Sequence, residues 1–276
     1  MPYVTKDELV AVFQDTMNYC KEAPVLIEAV ESTNARTRVY PVDFAEEVDV
    51  KKAGMIRVEA GRTFERAIAL HKEFSGKRIA VLNFAASTHP GGGVKTGSYA
   101  QEESLCRCSS LYPSLMTDYA TKRFYYYHIE NCEWAASDTC IYSPDVVIVR
   151  DDSDLICPRL RPEEFVKVDV VTCAAPHVFK NIVVRAEDLF RMHVSRAKNI
   201  LRVAAYNGVD IFVGGAFGCG AFHNSPEVVA WAWREAMKEY REKFDLIDFV
   251  IYVSDFPAKR ESGEHNLRAF RNEFAE

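Results

Sequence analysis

The 276-residue chain has few of the features that assign a protein to a class at once. No apolar run approaches the roughly 20 residues that a membrane-crossing helix needs. Basic residues are not in excess: 34 Lys and Arg stand against 40 Asp and Glu, a net charge of −6. Such a surface has no general attraction for nucleic acid or acidic membranes. The eight cysteines contain no C-x-x-C pair, and no H-E-x-x-H occurs. Cys106 and Cys108 lie two apart, Cys132 and Cys140 eight apart, which is not the spacing of a zinc site. No metal and no cofactor is expected. The opening residues, Met1-Pro2-Tyr3-Val4-Thr5-Lys6-Asp7-Glu8, lack the charged-then-apolar pattern of a secretory signal. Reduced thiols in a cytoplasmic protein are the simplest expectation. Repeats, low-complexity segments and a domain linker are also missing.

What is present reads as an ordinary globular chain, 48% hydrophobic and 27% charged, long enough to bury a substantial core. Residues 6 to 20 read as a helix with Leu9, Phe13 and Met17 on one stripe, and Thr5 with Glu8 fits a capping box. Lys21 to Asp49 is mixed and charged and is expected to pack on the main body. Strands are predicted at 55–58, 79–84, 146–149, 167–172, 210–213 and 246–253. Helices are predicted at 64–74, 185–205, 226–243 and 264–274, and a helical, Tyr-rich stretch at 104–128. Strands alternating with helices imply an α/β sandwich.

The stretch from Arg78 to Tyr112 carries the chemistry. Ile79 to Phe84 is a short buried strand with Asn83 near its end. Gly91, Gly92 and Gly93 follow His89-Pro90, and glycines let a ligand approach the backbone without meeting a Cβ. Gln101, Glu102 and Glu103 then precede a helix-like run from Ser104 to Tyr112. Alone, two adjacent acids are more often a solvated helix opening, and three glycines are as readily a flexible turn. Together they describe a site.

Rival motifs fail. A P-loop ending on Lys95-Thr96 would need glycines at His89 and Val94. A dinucleotide fingerprint through Gly218 and Gly220 meets His223 where Gly or Ala is required. Cys219 is no nucleophile elbow, since Phe217 and Ala221 occupy its glycine positions. Lys95 reads better as a loop cation at the mouth of a site. The glycine-rich run from Gly214 to Phe222 follows a strand and precedes a helix opened by Ser225, Pro226 and Glu227. Free N–H groups in such a loop converge on an anion.

The pattern Gly91-Gly92-Gly93-Val94, with Gln101-Glu102-Glu103 beginning seven residues later, resembles the bacterial-type poly(ADP-ribose) glycohydrolases, which are macrodomain enzymes. Asn83-Phe84-Ala85, Ile141 to Val146, Thr172 to Pro176 and Gly214 to Phe222 continue the resemblance in order, over roughly residues 50 to 255. His177 departs from it, since Asn is usual there, and the N-terminal segment is unfamiliar. The resemblance implies a three-layer α/β/α sandwich with a mixed sheet, one catalytic domain over 1–276, and an extension at 1–50 packed on it. It implies hydrolysis of ribose–ribose O-glycosidic bonds in poly(ADP-ribose), releasing ADP-ribose.

On that reading Glu103 does the acid–base work, while Glu102, pointing about 100° away around the helix, holds sugar hydroxyls. Asn83, Gly91, Gly92, Gly93, Val94 and Gln101 bind substrate on one side. Gly215, Phe217, Gly218, Cys219, Gly220, Ala221 and Phe222 bind it on the other, as a diphosphate loop with Phe222 beside the scissile ribose. Phe256 is a candidate to stack on adenine, whereas Trp134, Trp231 and Trp233 read as core. Two other functions remain open: removal of single ADP-ribose units from protein or nucleic acid, and binding of ADP-ribose without catalysis. The intact pair of acids argues against the last.

Overall fold

The computed structural model describes residues 4–46, 48–153, 156–179 and 182–275. The chain opens with α1 (Lys6–Glu22), capped as its sequence requires: Thr5 accepts from Glu8 N–H and Glu8 reaches back. Helix α2 (Pro24–Arg36) and the short strand β1 (Arg38–Tyr40) follow. This pair lies within the segment read only as mixed and charged. Its helical signal is weak because just Leu26 and Thr33 are buried, leaving no apolar stripe to read, although Pro24 marks the first turn.

Strand β2 (Met55–Ala60) and helix α3 (Thr63–Glu73) lead into β3 (Ile79–Ala85). Beyond it come α4 (Gln101–Cys108), α5 (Leu111–Leu115), α6 (Asp118–Ala120), a π-helical turn at Thr121–Tyr126 and α7 (Tyr127–Asn131). The chain closes with β4 (Cys140–Ile148), β5 (Val166–Ala174), α8 (Ala186–Tyr206), β6 (Ile211–Gly214), α9 (Pro226–Tyr240), β7 (Leu246–Ile251) and α10 (Pro257–Phe274). Strand β4 starts six residues before the predicted 146–149. Pro144 and Asp145 look like strand punctuation, but the strand passes them through a register shift between Ser143 and Val146, with Asp145 at φ 53°. Helix α10 starts at Pro257, well before the predicted Glu264, with proline in its first turn.

The seven strands form one mixed sheet in the order β1-β4-β5-β3-β6-β7-β2. The β1–β4 and β4–β5 pairs are antiparallel; the other pairs are parallel. Alternate side chains of each central strand feed two cores. Ala80, Leu82, Phe212, Ile247 and Phe249 pack with Ile200 of α8, Trp233 of α9 and Phe270 of α10. Ile79, Val81, Ile211, Val213 and Val250 pack with Phe13 of α1, Phe64 of α3 and Leu105 of α4. The result is the expected three-layer α/β/α sandwich, held by the period-2 pattern of its strands. Trp233 fills the core at 1% exposure, but Trp231 is 51% exposed, one of two tryptophans two residues apart on the same helix.

Strand β3 is the hinge of the topology. The chain leaves it toward β4 and β5 on one side, and the later β6 and β7 lie on the other. A crevice at the carboxyl ends of strands around such a switch point is where open α/β sheets bind ligands.

Candidate active site

The acidic pair opens α4 instead of preceding it, so both carboxylates sit in the helix's first turn. Gln101 fixes that turn to the sheet. Its Oε1 accepts from Phe84 N–H at 2.9 Å, and its Nε2 donates to the Leu82 carbonyl at 2.7 Å and Thr63 Oγ1 at 3.2 Å. Strands β3 and β6 stop pairing after Val81 and Val213, so the next groups on that edge of β3 would be orphaned. A carboxamide carries one acceptor and one donor group and substitutes for the departing strand. Gln101 is therefore committed to backbone, which makes it a positioning residue for the two glutamates.

Glu102 is buried and doubly held. Its Oε2 accepts from Ala86 N–H at 2.8 Å and its Oε1 from Asn83 Nδ2 at 3.3 Å. Asn83 also donates to Thr172 Oγ1 at 3.2 Å, its direct partner across the β3–β5 register. Burial pushes the Glu102 carboxyl up to about 8; the Ala86 bond opposes this and the Glu103 charge adds to it.

Glu103 is 7% exposed, and its Oε1 accepts from Gly93 N–H at 2.8 Å. Its Oε2 is buried without a hydrogen-bond partner, as is Oδ1 of Asn83. Unpaired buried acceptors are costly in a folded protein, and a ligand rich in hydroxyl groups would satisfy that of Glu103, which lines the cleft.

The glycine triplet has a steric reason at each position. Gly92, at φ 55°, would set a Cβ 2.5 Å from Glu103 Oε1 and 3.1 Å from Glu102 Oε2. Gly91 would set one 2.8 Å from the Tyr112 ring, and Gly93 one against Ser98 Oγ. Val94 is wholly buried in the core below. Helix α1 braces this assembly from outside: Thr16 Oγ1 donates to the Arg107 carbonyl at 2.6 Å, and Phe13 meets Tyr112 edge-on at 5.0 Å. Lys95 places its ammonium 5.5 Å from the Tyr112 ring centre and does not line the cleft.

Opposite lies the loop after β6. Asn224 organises it, donating to the carbonyls of Pro176 at 2.8 Å and Gly218 at 2.9 Å, while its Oδ1 meets His193 Nε2 at 3.0 Å. Burial pushes His193 down to about 4, so the ring is neutral. Among the described residues, the N–H groups of Gly218, Gly220, Ala221 and Phe222 donate to no protein acceptor. Ser225 caps α9 directly behind them, accepting from Val228 N–H. This loop can bind an anion through backbone.

Between the two loops lies a cleft of about 300 Å³. Of the residues chosen from sequence, Gly92, Gln101, Glu102, Glu103, Phe217, Gly218, Gly220, Ala221 and Phe222 line it. Asn83, Gly91, Gly93, Val94, Gly215 and Cys219 are not among the lining residues. Thr63, Phe84, Ala86, Ala100, Ala175, Ala216, Val250, Ile251, Tyr252 and Asn266 complete the wall and were not picked out as site residues. Phe256 is not in the wall; Tyr252, four residues earlier, is, with the Arg62 guanidinium 4.5 Å over its ring. The position after the last strand could have suggested Tyr252. Nothing local marks Asn266, which α10 brings in by tertiary packing. Among the described residues, no three His, Cys, Asp or Glu side chains are grouped to hold a metal ion.

The chain is similar to known proteins in sequence and in fold. The family model described as "Microbial-type PARG, catalytic domain" matches residues 7–151. The match starts inside α1 and so takes in α1 and α2, which carry packing residues rather than signature residues. No curated protein is matched. The crystal structure of poly(ADP-ribose) glycohydrolase from Thermomonospora curvata is similar, with 28% identity, 97% of this chain and 100% of that chain covered, and a TM-score of 0.81. The same enzyme bound to the inhibitor ADP-HPD gives 28% identity, the same coverage and a TM-score of 0.79. The Deinococcus radiodurans enzyme in complex with ADP-ribose gives 30% identity, 89% and 96% coverage, and a TM-score of 0.75.

Proposed function

Because the chain belongs to the microbial-type poly(ADP-ribose) glycohydrolase family, we propose that Glu103 is the acid–base catalyst of its hydrolysis of poly(ADP-ribose). The observation that carries this assignment is Glu103 Oε2, a buried, unpartnered oxygen of a cleft-lining carboxyl whose other oxygen is fixed by Gly93. Glu102 has the raised pKa, but both its oxygens are already engaged. Geometry ranks before pKa in choosing a proton donor.

The substrate diphosphate lies on the free N–H groups of Gly218, Gly220, Ala221 and Phe222. The ribose lies between Phe222 and the bare backbone of Gly92, its hydroxyls on Glu102, whose carboxyl Asn83 holds. The C1–O bond of that ribose breaks with its electrons going to oxygen, and Glu103 supplies the proton. An oxocarbenium-like ribose results. Glu103, now a carboxylate, takes a proton from a water as the water oxygen bonds to C1, and ADP-ribose leaves. Holding both ends of the substrate lowers the entropic part of the barrier. The two glutamates are sequence neighbours and cannot flank one bond, so a single carboxyl acts in both steps, unlike the paired arrangement of many glycosidases.

Residues 1–276 act as one catalytic domain, with 1–50 as an extension whose helix α1 braces α4. The cytoplasm is the compartment we assign, supported by eight free cysteines. No helix among the described residues is long and apolar enough to cross a membrane. The net charge of −6 argues against general nucleic-acid binding. Incubating the protein with polymer and, separately, with a mono-ADP-ribosylated peptide tests the reading. Release of ADP-ribose from polymer is expected; release from the peptide alone would replace it with the mono-ADP-ribosyl hydrolase reading.

A further inference from the structure

Residues 118–131 form one continuous helical run through α6, the π-helical turn and α7. Its inner stripe is Ala120, Phe124, Tyr125 and His128, all buried. The outer face of such a helix is ordinarily charged or polar. Here it carries Tyr119, Tyr126, Tyr127 and Ile129, each between 38% and 55% exposed. Lys122 and Arg123 stand among them, with the Arg123 guanidinium 5.1 Å from the Tyr119 ring centre. The acids of the run, Asp118 and Glu130, lie towards its two ends, Asp118 3.9 Å from Lys122. A single exposed apolar residue needs no explanation, but a grouped set marks an interaction site. π-Helical turns, too, are frequent at functional sites.

The run is fixed to the rim of the cleft. His128 Nε2 accepts from Ser137 N–H at 3.2 Å, so Nδ1 carries the proton and donates to the Phe124 carbonyl at 2.7 Å. In the loop that Ser137 shares, the Trp134 carbonyl accepts from His177 N–H at 2.6 Å, and the His177 ring covers Phe222. Trp134 is three residues past Asn131, at most about 10 Å of chain. At the other end Tyr119 Oη accepts from Val39 N–H of the edge strand β1 at 3.4 Å. The cleft extends from Tyr252, after β7, to Ala175, after β5, and β4 and β1 lie beyond β5 in the sheet. A chain that leaves the cleft on the β5 side therefore passes onto this face.

We propose that the outer face of residues 118–131 is an exosite for the polymer itself, holding the part beyond the leaving unit. Its adenines stack on Tyr126 and Tyr127 and its diphosphates meet Lys122 and Arg123. The inference rests on poly(ADP-ribose) being the substrate. Stacking on exposed rings tolerates any register, which suits a repeating chain. On a protein with a net charge of −6, two adjacent cations among aromatic rings are a local complement to a diphosphate.

The test uses three double variants, Tyr126→Ala with Tyr127→Ala, Tyr126→Phe with Tyr127→Phe, and Lys122→Glu with Arg123→Glu, on long polymer and on the ADP-ribose dimer. All four side chains are exposed, so each variant should melt like wild type. The alanine pair should lower kcat/KM on long polymer by about tenfold, through KM, in line with lost base stacking. Dimer hydrolysis and ADP-ribose affinity should stay within about twofold of wild type, since neither ligand reaches the face. The phenylalanine pair keeps the rings and should keep wild-type kinetics. The glutamate pair should raise KM on long polymer and flatten its salt dependence. Unchanged long-polymer kinetics in the alanine pair would overturn the exosite and leave the glycohydrolase reading intact. An equal loss on the dimer would also overturn it, by assigning the effect to the cleft. So would a wild-type protein that sediments as a dimer and an alanine pair that sediments as a monomer, because the face would then meet a second copy. Oligodeoxyadenylate that inhibits wild type but not the alanine pair, as strongly as inert polymer does, would make the face a general nucleic-acid surface and overturn the proposal. A wild-type protein that hydrolyses neither long polymer nor dimer would instead defeat the underlying reading.

Discussion

Gly93 donates its backbone N–H to Oε1 of Glu103 at 2.8 Å, while Oε2 of the same carboxyl is buried without a partner. The glycine triplet and the acids are thus one unit: the loop's backbone sets which oxygen is free. Gly92 sits between them at φ 55°, where a side chain is both strained and obstructed.

Gly92→Ala should therefore be damaging out of proportion to one methyl group. Its Cβ would lie 2.5 Å from Glu103 Oε1. Turnover on polymer should fall by about a hundredfold or more, in the range of lost acid–base catalysis. Circular dichroism should still report a folded protein, because the contact is with a side-chain end. Normal turnover in this variant would mean that the loop does not position the carboxyl.

Two glycines in the second loop, read alike from sequence, behave differently in space. A Cβ on Gly218, at φ 79°, would meet Asn224 Nδ2 at 2.5 Å and the Ala175 Cβ at 2.6 Å, whereas one on Gly220 meets nothing within 4 Å. Gly218→Val should destabilise the fold. Gly220→Val should fold normally yet occupy ligand space, weakening ADP-ribose binding by about 1.4 kcal/mol or more, roughly tenfold. Calorimetry beside a thermal melt separates the cases. Wild-type affinity in folded Gly220→Val would move the anion site elsewhere, first to the triplet at Gly91.

Glu102 should make stability depend on pH. Its carboxyl rises from 4.5 to about 8 on folding, so within that interval the folded chain holds a proton that the unfolded chain has lost. Protons then favour folding, and the contribution is lost as pH rises through about 8. Asp152, pushed up to about 6 by burial, acts in the same sense but has titrated by neutral pH. Glu102→Gln, which cannot ionise, should gain thermal stability relative to wild type progressively as pH rises from about 4.5 to about 8 and hold a constant difference above that. Parallel melting curves across the interval would show that Glu102 does not retain its proton.

Dialysis against a strong chelator should leave polymer hydrolysis unchanged, since the proposed steps use only carboxyl, water and backbone N–H groups. A loss reversed by zinc or magnesium would contradict that mechanism.

The parts of the fold visible in the sequence were those with local causes. The Thr5–Glu8 cap, the Ser225-Pro226 helix start and the apolar run from Ile79 are each specified by neighbours in the chain. Helix α2 and the early start of β4 were hidden, because one buries too few side chains and the other passes a proline through a bulge. In the site, the glycines and acids were legible as a motif. Gln101 reads as a ligand contact until its bonds to Leu82 and Phe84 are seen, since the need it meets arises only where β6 leaves β3. Tyr252 and Asn266 come from the last strand and last helix, far from the motifs, and only packing brings them to the cleft.

The central claim, that Glu103 carries the proton transfers, is tested most directly by ADP-ribose release from polymer with wild type and Glu103→Gln, alongside ADP-ribose affinity for each. Glutamine preserves the shape and can still accept from Gly93 through its amide oxygen, but it cannot give or take the proton. Turnover should fall by roughly a hundredfold or more, with affinity within about tenfold of wild type. Turnover near wild type in a folded Glu103→Gln protein would contradict the account.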